Sequence, residues 1–471
     1  MPDAVAKLTD IIRAGLKDDN PRPRDVLKEL FGGRYHTRHL SKEDSPMIRD
    51  AMVLGASDDE TQGVPFAGLI HPDNPNSGPY GGMSFVWFPK RDGGSVVGLG
   101  IGTRGLAPDE GILMRPGHRR RVAALRKTLA EKGVSTWSKP DPANLGMEIP
   151  ELVLERFPEH VKALKRYSKE MYLIAEVTPE HSHEQARHIV QSILDLYSHE
   201  RGWKILSEWA GQREDLMDRL HQDSFGVVTG AQVYERLLAR HFVILQGPPG
   251  TGKTRMARQV LRTQFQGNGT VVQFHPAVTY EDFVVGLSPD IGDESTLRFG
   301  VRPGSLVEAC SEARKGPYLL VVDEINRADL SKVLGEAIYL FEPSELKERP
   351  IRLPHAVQGS KELALPDTLY VLGTMNTADR AIASIDLAIR RRFTFMTMMP
   401  ELKPVQETGI SLAVELFKAL CDAFVEHAPN EALTLMPGHS YFIASNEEEL
   451  KKRLEYELLP LLDEYLREGF L

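Results

Sequence analysis

Eight consecutive residues, Gly247-Pro248-Pro249-Gly250-Thr251-Gly252-Lys253-Thr254, carry the most specific chemistry in the chain. They fit the pattern GxxxxGK[ST], follow the apolar run HFVILQ (241–246) and open the helix-forming segment KTRMARQVLRTQF. A strand, a glycine-containing loop and a helix in that order make an anion cradle. Backbone N–H groups of the tight loop point inward at a β-phosphate, and the helix N-terminus adds its partial positive charge. Lys253 then reaches β- and γ-phosphate oxygens, and the Thr254 hydroxyl oxygen is a ligand for Mg²⁺. A ligand-free glycine turn is the structural alternative, and the strand–loop–helix context argues against it.

Such a site needs a second metal anchor and a group to activate water. YLLVVDEINRADL sets Asp323 and Glu324 directly after an apolar strand. Asp323 suits the water shell of the metal, and Glu324 suits polarisation of an attacking water. Isolated acid pairs also cap strands as solvated charges; the preceding loop is what gives this pair a task. TLYVLGTMN is the next strand, and Asn376 ends it, where ligands bind in open α/β sheets. A neutral amide there orients water near the γ-phosphate.

The following span has two readings. Ala381, Ile382, Ile385, Leu387, Ala388 and Ile389 form the buried side of a short helix that ends in Arg390, Arg391 and Arg392. These arginines are either a solvated cationic helix end, favoured by the helix dipole, or arginine fingers that reach a neighbour's site in a ring of identical subunits. Arg391 and Arg392 are the favoured fingers; the solvated reading suits Arg390.

The elements that must position these groups alternate. After about residue 220, apolar runs at 241–246, 270–274, 318–322 and 368–375 are separated by helical patterns, as in a parallel sheet covered on both faces. Beyond Pro400 the pattern turns helical. The expected organisation is therefore an α/β P-loop domain over 216–400, a C-terminal helical lid over 401–471, and a separate α+β domain over 1–215. In that first domain a helix is expected near 4–17, with strands at 64–70, 83–89, 95–101 and 171–177. KRDGGS forms a hairpin turn, a basic helix runs to about 132, and a long amphipathic helix starts near 181.

At 471 residues, 41% hydrophobic and 26% charged, the chain is an ordinary globular protein of two to four domains. A net charge of -9 excludes a polycation built to coat nucleic acid. The first 220 residues are balanced, with 31 Lys and Arg against 32 Asp and Glu, so the acid excess lies beyond them. Any nucleic-acid contact has to come from a local patch. Two cysteines, Cys310 and Cys421, without CxxC or zinc spacing fit a reducing cytoplasm. The N-terminus is too acidic for a signal peptide, and no run reaches the ~20 apolar residues that span a bilayer, so no membrane association is expected.

Together these stretches resemble the AAA+ class of P-loop ATPases and GTPases, and within it the McrB family of GTP-driven restriction motors. The likeness rests on GPPGTGKT, VQFHPAVTYEDFVVGL (272–287), VVDEINRADLSKVLGEAIYLFE (321–342) and GTMNTADRAIASIDLAIRRRF (373–393), with PGHSYF (437–442) and YELLPLLDEY after them. It covers about residues 225–471. The resemblance implies GTP as the preferred substrate over ATP, through residues 376–379, which match a motif likened to the guanine-reading element of small GTPases. Asp379 can accept guanine N1–H and N2–H₂ hydrogen bonds, or cap the helix beginning at RAIAS. Asn376 is also the expected γ-phosphate sensor, and one side chain cannot easily contact both ends of a nucleotide. Asn326 and Arg327 match the family pattern and imply polar bridging near a subunit interface. His439 lies near the position where many AAA+ proteins keep a phosphate-contacting arginine, so that contact is weaker here or supplied otherwise.

The resemblance further implies a homo-oligomer, a hexameric ring, and a McrC-like endonuclease partner, since no PD…(D/E)xK core is evident in this chain. It implies an N-terminal part that selects modified DNA. Arg115, Arg119, Arg120, Arg121, Arg126 and Lys127 form a basic cluster able to contact phosphates. Tyr80, Phe85, Trp87 and Phe88 are able to stack on a flipped base. The competing reading places Phe85 and Trp87, two apart on one strand face, in a core. The expected function is thus a Mg²⁺-dependent NTPase motor, GTP preferred, in modification-dependent or antiphage DNA restriction. The alternative from another class is an ATP-driven chaperone of the MoxR type acting on a protein client.

Overall fold

A computed structural model describes residues 4–15, 47–51, 66–70, 83–90, 92–101, 115–138, 149–158, 161, 171–200, 210–291, 297–346, 349–357, 359–378 and 387–469. The chain divides into two units, Met1–Asp223 with Val425–His427, and Ser224–Phe424 with Ala428–Leu471.

The first unit is built on antiparallel strands. Its elements are α1 (Ala4–Ala14), β1 (Met47–Ala51), β2 (Phe66–Ile70), β3 (Met83–Pro89), β4 (Ser95–Ile101), α2 (Pro116–Glu131), β5 (Thr136–Ser138), α3 (Glu151–Arg156), β6 (Met171–Val177), α4 (His183–Glu200) and α5 (Ala210–Ser224). The sheet order is β1-β2-β3-β4-β6-β5 with every pairing antiparallel. Gly93 and Gly94 turn the β3–β4 hairpin at φ 102° and 88°, which a side chain would resist. Strand alternation sorts β3 onto two faces. Val86 and Phe88 pack with Val96, Ile174, Val153 and Phe157. Phe85 and Trp87 face the other way, both fully buried, with ring centroids 6.0 Å apart. The helix expected from residue 181 runs from His183 to Glu200.

The second unit starts at α6 (Gly230–Arg240), entered through a capping box in which Thr229 and Gln232 satisfy each other's backbone N–H groups. There follow β7 (Phe242–Gly247), α7 (Lys253–Thr263), β8 (Gly269–Gln273), α8 (Tyr280–Phe283), β9 (Val285–Ile291), β10 (Leu297–Pro303), α9 (Ser305–Ala313) and β11 (Tyr318–Asp323). A 3₁₀ turn at Ile325–Arg327 leads to α10 (Leu330–Leu334), β12 (Ile351–Val357), β13 (Ser360–Leu363), β14 (Leu369–Asn376), α11 (Leu387–Arg390) and β15 (Thr394–Thr397). The helical tail holds α12 (Lys403–Gln406), α13 (Ser411–His427), α14 (Asn430–Leu433), α15 (Glu447–Arg453) and α16 (Leu459–Arg467).

Five parallel strands in the order β15-β7-β14-β11-β8 form the central sheet. Alternate residues of β7 enter opposite layers, as a sheet with both faces buried demands. Phe242 and Ile244 pack under α9 with Leu306 and Cys310; Val243 and Leu245 pack under α6 and α7 with Val233, Leu237, Ala257 and Val260. From β7 the chain crosses to the edge strand β8, returns through β11 and β14, and finishes beyond β7 at β15. The loop after β7 therefore opens into the crevice that such a reversal of strand order creates. Two antiparallel hairpins, β9–β10 and β12–β13, interrupt the alternation. Among the described residues no helix is long and apolar enough to cross a membrane.

Candidate functional site

The glycine loop is shaped by φ and by lack of space. Gly250 and Gly252 both adopt φ 80°. A Cβ on Gly250 would meet Ser440 Oγ at 2.3 Å, and one on Gly438 would meet the Gly250 carbonyl carbon at 2.0 Å. The PGHSYF segment lies against the loop backbone: Gly438 N–H donates to Pro249 O at 2.9 Å, and Ser440 N–H to Gly250 O at 3.0 Å. Gly252 begins α7 without a side-chain cap, so the first N–H groups of the helix are left to an anion. Lys253 is buried, and its ammonium donates to Gly247 O at 2.9 Å and Pro248 O at 2.7 Å. Burial draws its pKa down to about 8, against the opposing pull of Asp323 and Glu324.

The carboxylates arrive from the neighbouring strand ends. Thr254 Oγ1 donates to Asp323 Oδ1 at 2.8 Å, and Thr374 Oγ1 of β14 donates to the same oxygen. Glu324 N–H donates to Thr374 Oγ1 at 3.0 Å. Glu324 itself has left-handed backbone, φ 53° and ψ 45°, an uncommon state for a residue with a Cβ. Its carboxylate pairs with Arg327 Nε at 2.5 Å. Asn376 sits beside Gly247 in the sheet register, and its carbonyl accepts from Asn326 Nδ2 at 3.2 Å. A cleft of about 220 Å³ is lined by Lys253, Thr254, Glu324, Thr374 and Asn376 with the glycines of the loop.

The structure thus brings together Gly247–Thr254, Asp323, Glu324 and Asn376. Sequence reasoning passes over Thr374, which ties Asp323 to the Glu324 backbone; the available signal is one hydroxyl in an otherwise apolar strand, two residues before Asn376. The arginines separate. Arg390 and Arg391 are exposed, the former with its guanidinium 5.2 Å from the Phe395 ring centroid, whereas Arg392 is 7% exposed. Asp379 and Tyr80 lie outside the described residues. His439 is buried, and its Nδ1 accepts from Glu401 N–H at 3.2 Å. Burial, then the Arg255 charge, lowers its pKa to about 4, so it is a neutral ring rather than a cation.

The oxygen pair of Thr254 and Asp323 suits a hard cation. Mg²⁺ takes one or two protein oxygens and completes its shell with water and phosphate. Both cysteines are inert by contrast, since burial pushes each thiol up to about 12.

The N-terminal candidates are largely consumed by packing. Phe85, Trp87 and Phe88 are buried, so the core reading holds and none of the three is free to stack on a base. Arg121 is buried and bonds Glu200 at 2.9 Å; the same oxygen takes His118 Nδ1 at 2.9 Å. Arg126 donates to Ser138 Oγ at 2.9 Å, and Lys127 pairs with Asp223 at 2.8 Å. Arg115 and Arg119 are exposed.

Residues 242–393, from β7 almost to β15, match the AAA domain (dynein-related subfamily). The chain is 33% identical over 276 residues, 53% of its length and 59% of the relative's, to the type IV methyl-directed restriction enzyme EcoKMcrB subunit of Escherichia coli (strain K12). Residues 242–393 thus carry an AAA domain, and the chain is similar to the McrB family of AAA+ proteins. A second relative is the type II restriction enzyme BsuMI component YdiS of Bacillus subtilis (strain 168), 26% identical over 189 residues, 32% of this chain and 55% of that one. The uncharacterized protein YehL of E. coli is 24% identical over 245 residues, 50% of this chain and 63% of that one. The chain therefore spans less than two thirds of each of these relatives.

Proposed function

We propose that the chain is the GTP-preferring motor of a DNA restriction system, hydrolysing the γ-phosphate in a ring of identical subunits and working with a McrC-like endonuclease. The hydrolytic part rests on one arrangement: Lys253, Thr254, Glu324 and Asn376 line one cleft, and Asp323 is bonded to Thr254 beneath the glycine loop. The restriction part rests on the 33% identity to a restriction-enzyme subunit.

In this reading the loop N–H groups and Lys253 hold the phosphate chain. Thr254 and Asp323 hold Mg²⁺, which supplies charge neutralisation for the phosphates. Asn376 orients a water in line with the γ-phosphorus, and Glu324 accepts a hydrogen bond and then a proton from it. The water oxygen bonds to phosphorus as the β–γ bridging oxygen leaves with the diphosphate. Arg391 of the adjoining copy offsets the charge that spreads over the γ-oxygens. Arg392, 7% exposed, is the less accessible of the two proposed fingers, so Arg391 is assigned the role. Guanine selection is assigned to Asp379, and selection of the DNA to the N-terminal unit through exposed groups such as Arg115 and Arg119.

The test is phosphate release from GTP and ATP, with and without DNA and the product of the adjacent gene. GTP turnover well above ATP turnover, stimulated by that product, is expected. Equal turnover of both nucleotides favours a MoxR-type chaperone. A chain that stays monomeric with nucleotide and Mg²⁺ and releases no phosphate in any mixture overturns both.

A further inference from the structure

Two cations, Lys253 and Arg255, occupy the first turn of α7, and no acid accompanies them. Lys253 is buried on loop carbonyls. Arg255 is exposed, lines the same cleft, and has no hydrogen-bond or carboxylate partner among the described residues. A helix start is the positive end of the helix dipole. A cation there raises the energy of the empty site, and an anion removes that cost.

The two side chains face different ends of the cleft. Residues two apart on a helix point about 200° apart around its axis, so they leave α7 in nearly opposite directions. Lys253 feels the carboxylates of Asp323 and Glu324, at the end of β11. The charge of Arg255 acts instead on His439, whose Nε2 would stand 3.8 Å from a Cβ on Gly252. That ring offers no competing charge: its Nδ1 accepts from Glu401 N–H, which leaves its one proton on Nε2. Glu401 follows β15, which flanks β7 on the side opposite to β14 and β11. Arg255 thus stands toward β15, away from Glu324 and Asn376.

We propose that Arg255 is a further nucleotide-binding residue, whose guanidinium holds α-phosphate oxygens on the β15 side of the cleft. This rests on reading the cleft as the triphosphatase site, with the β-phosphate over the loop and the γ-phosphate toward Glu324 and Asn376. The remaining phosphate then lies toward Arg255, and a planar guanidinium can hold both of its non-bridging oxygens. The same charge is unfavourable when the site is empty, so its removal weakens binding without weakening the fold.

The experiment titrates the full chain, Arg255→Gln, Arg255→Lys and Lys253→Ala with Mg²⁺ and fluorescent diphosphate and non-hydrolysable triphosphate analogues of guanosine and adenosine. The Tm of each nucleotide-free protein is recorded beside it. Arg255→Gln should weaken diphosphate and triphosphate by an equal factor, about fivefold to thirtyfold, as for one partly exposed charge-assisted hydrogen bond. KM for the hydrolysed nucleotide should rise by that factor with kcat little changed. Arg255→Lys keeps the charge without the fork and should lose less. Tm should not fall, because a cation has left the positive helix end. A loss confined to the triphosphate moves the contact to the γ-phosphate and overturns the assignment, as does unchanged affinity for both. A loss accompanied by a lower Tm makes Arg255 structural and overturns it too. A parent that binds no analogue better than Lys253→Ala does overturns instead the reading of the cleft.

Discussion

The two units use similar side chains to different ends. In the first, Glu200 is enclosed by Arg121 and His118, and Lys127 closes on Asp223. In the second, Asp323 takes Thr254 and Thr374, and Lys253 rests on loop carbonyls; Lys253, Thr254 and Thr374 line a cleft of about 220 Å³. Composition does not separate these cases. Sheet topology does. Parallel strands end on one side, so residues 247, 323 and 376 meet although the chain between them is long. An antiparallel sheet sends successive strand ends to opposite sides, and its charged groups find partners on nearby helices instead.

The largest expected contrast is between two lysines. Lys253→Ala should weaken nucleotide binding at least ~100-fold, the loss of a buried charge-assisted contact to phosphate. Lys127→Ala should leave binding unchanged, because an exposed pair contributes only ~1 kcal/mol or less to stability. A fluorescent-nucleotide titration of both variants checks this, and equal affinities would erase the distinction between the units.

Two carboxylate positions, one lining the cleft and one buried, sharpen it next. Glu324→Gln should bind nucleotide and lose on the order of 10²–10⁴ in kcat, the usual share of a general base. Glu200→Gln should keep kcat and lose roughly 3 kcal/mol of stability in urea denaturation, because Arg121 would lose the buried one of its two carboxylate partners, Glu200 and Glu426. Normal hydrolysis by Glu324→Gln would move the water-activating role elsewhere.

The arginines give a smaller effect. Arg391→Ala should bind nucleotide as the parent does and lose about tenfold or more in turnover, partly restored when mixed with Lys253→Ala subunits. Arg392→Ala should act on stability instead, by about 1–3 kcal/mol, as a buried polar contact is lost. Equal kinetic defects without a stability change would reverse the two assignments.

A pH dependence completes the contrasts. His439 titrates at about 4 in the folded chain, below the ordinary 6.5, so the unfolded chain binds more protons between those values. Its contribution is therefore fully present above pH 6.5 and is lost as pH falls toward 4, by about 3 kcal/mol in total. His439→Gln should flatten that part of the stability profile; an unchanged profile would mean that other groups govern acid unfolding.

Much of the second unit was legible because its signals are local. β7, β8, β11 and β14 are runs of aliphatic residues between loop residues, and each appears within a residue or so of its expected place. The hairpin β9–β10 was not legible. Gly286, Pro289 and Asp290 interrupt its first strand, residues that argue against a strand until a partner strand is known. Once Leu287 is paired with Val301, and Pro289 with Phe299, the apolar residues fall on one face. β15 has only four residues and is half-buried, too short for a period to show.

What the sequence determined by itself is the set of candidate groups: a glycine loop at a helix start, a lysine, a hydroxyl, two acids and an amide, each near the end of an apolar run. Periodicity and turn chemistry are local, so a single strand suffices to specify them. Only tertiary structure decided which of three consecutive arginines is buried, that Thr374 links the two acids, and that Arg327 lies on Glu324. It also decided that the aromatics of β3 are core. Burial and pairing depend on what packs from distant parts of the chain, and no short stretch of residues contains that information.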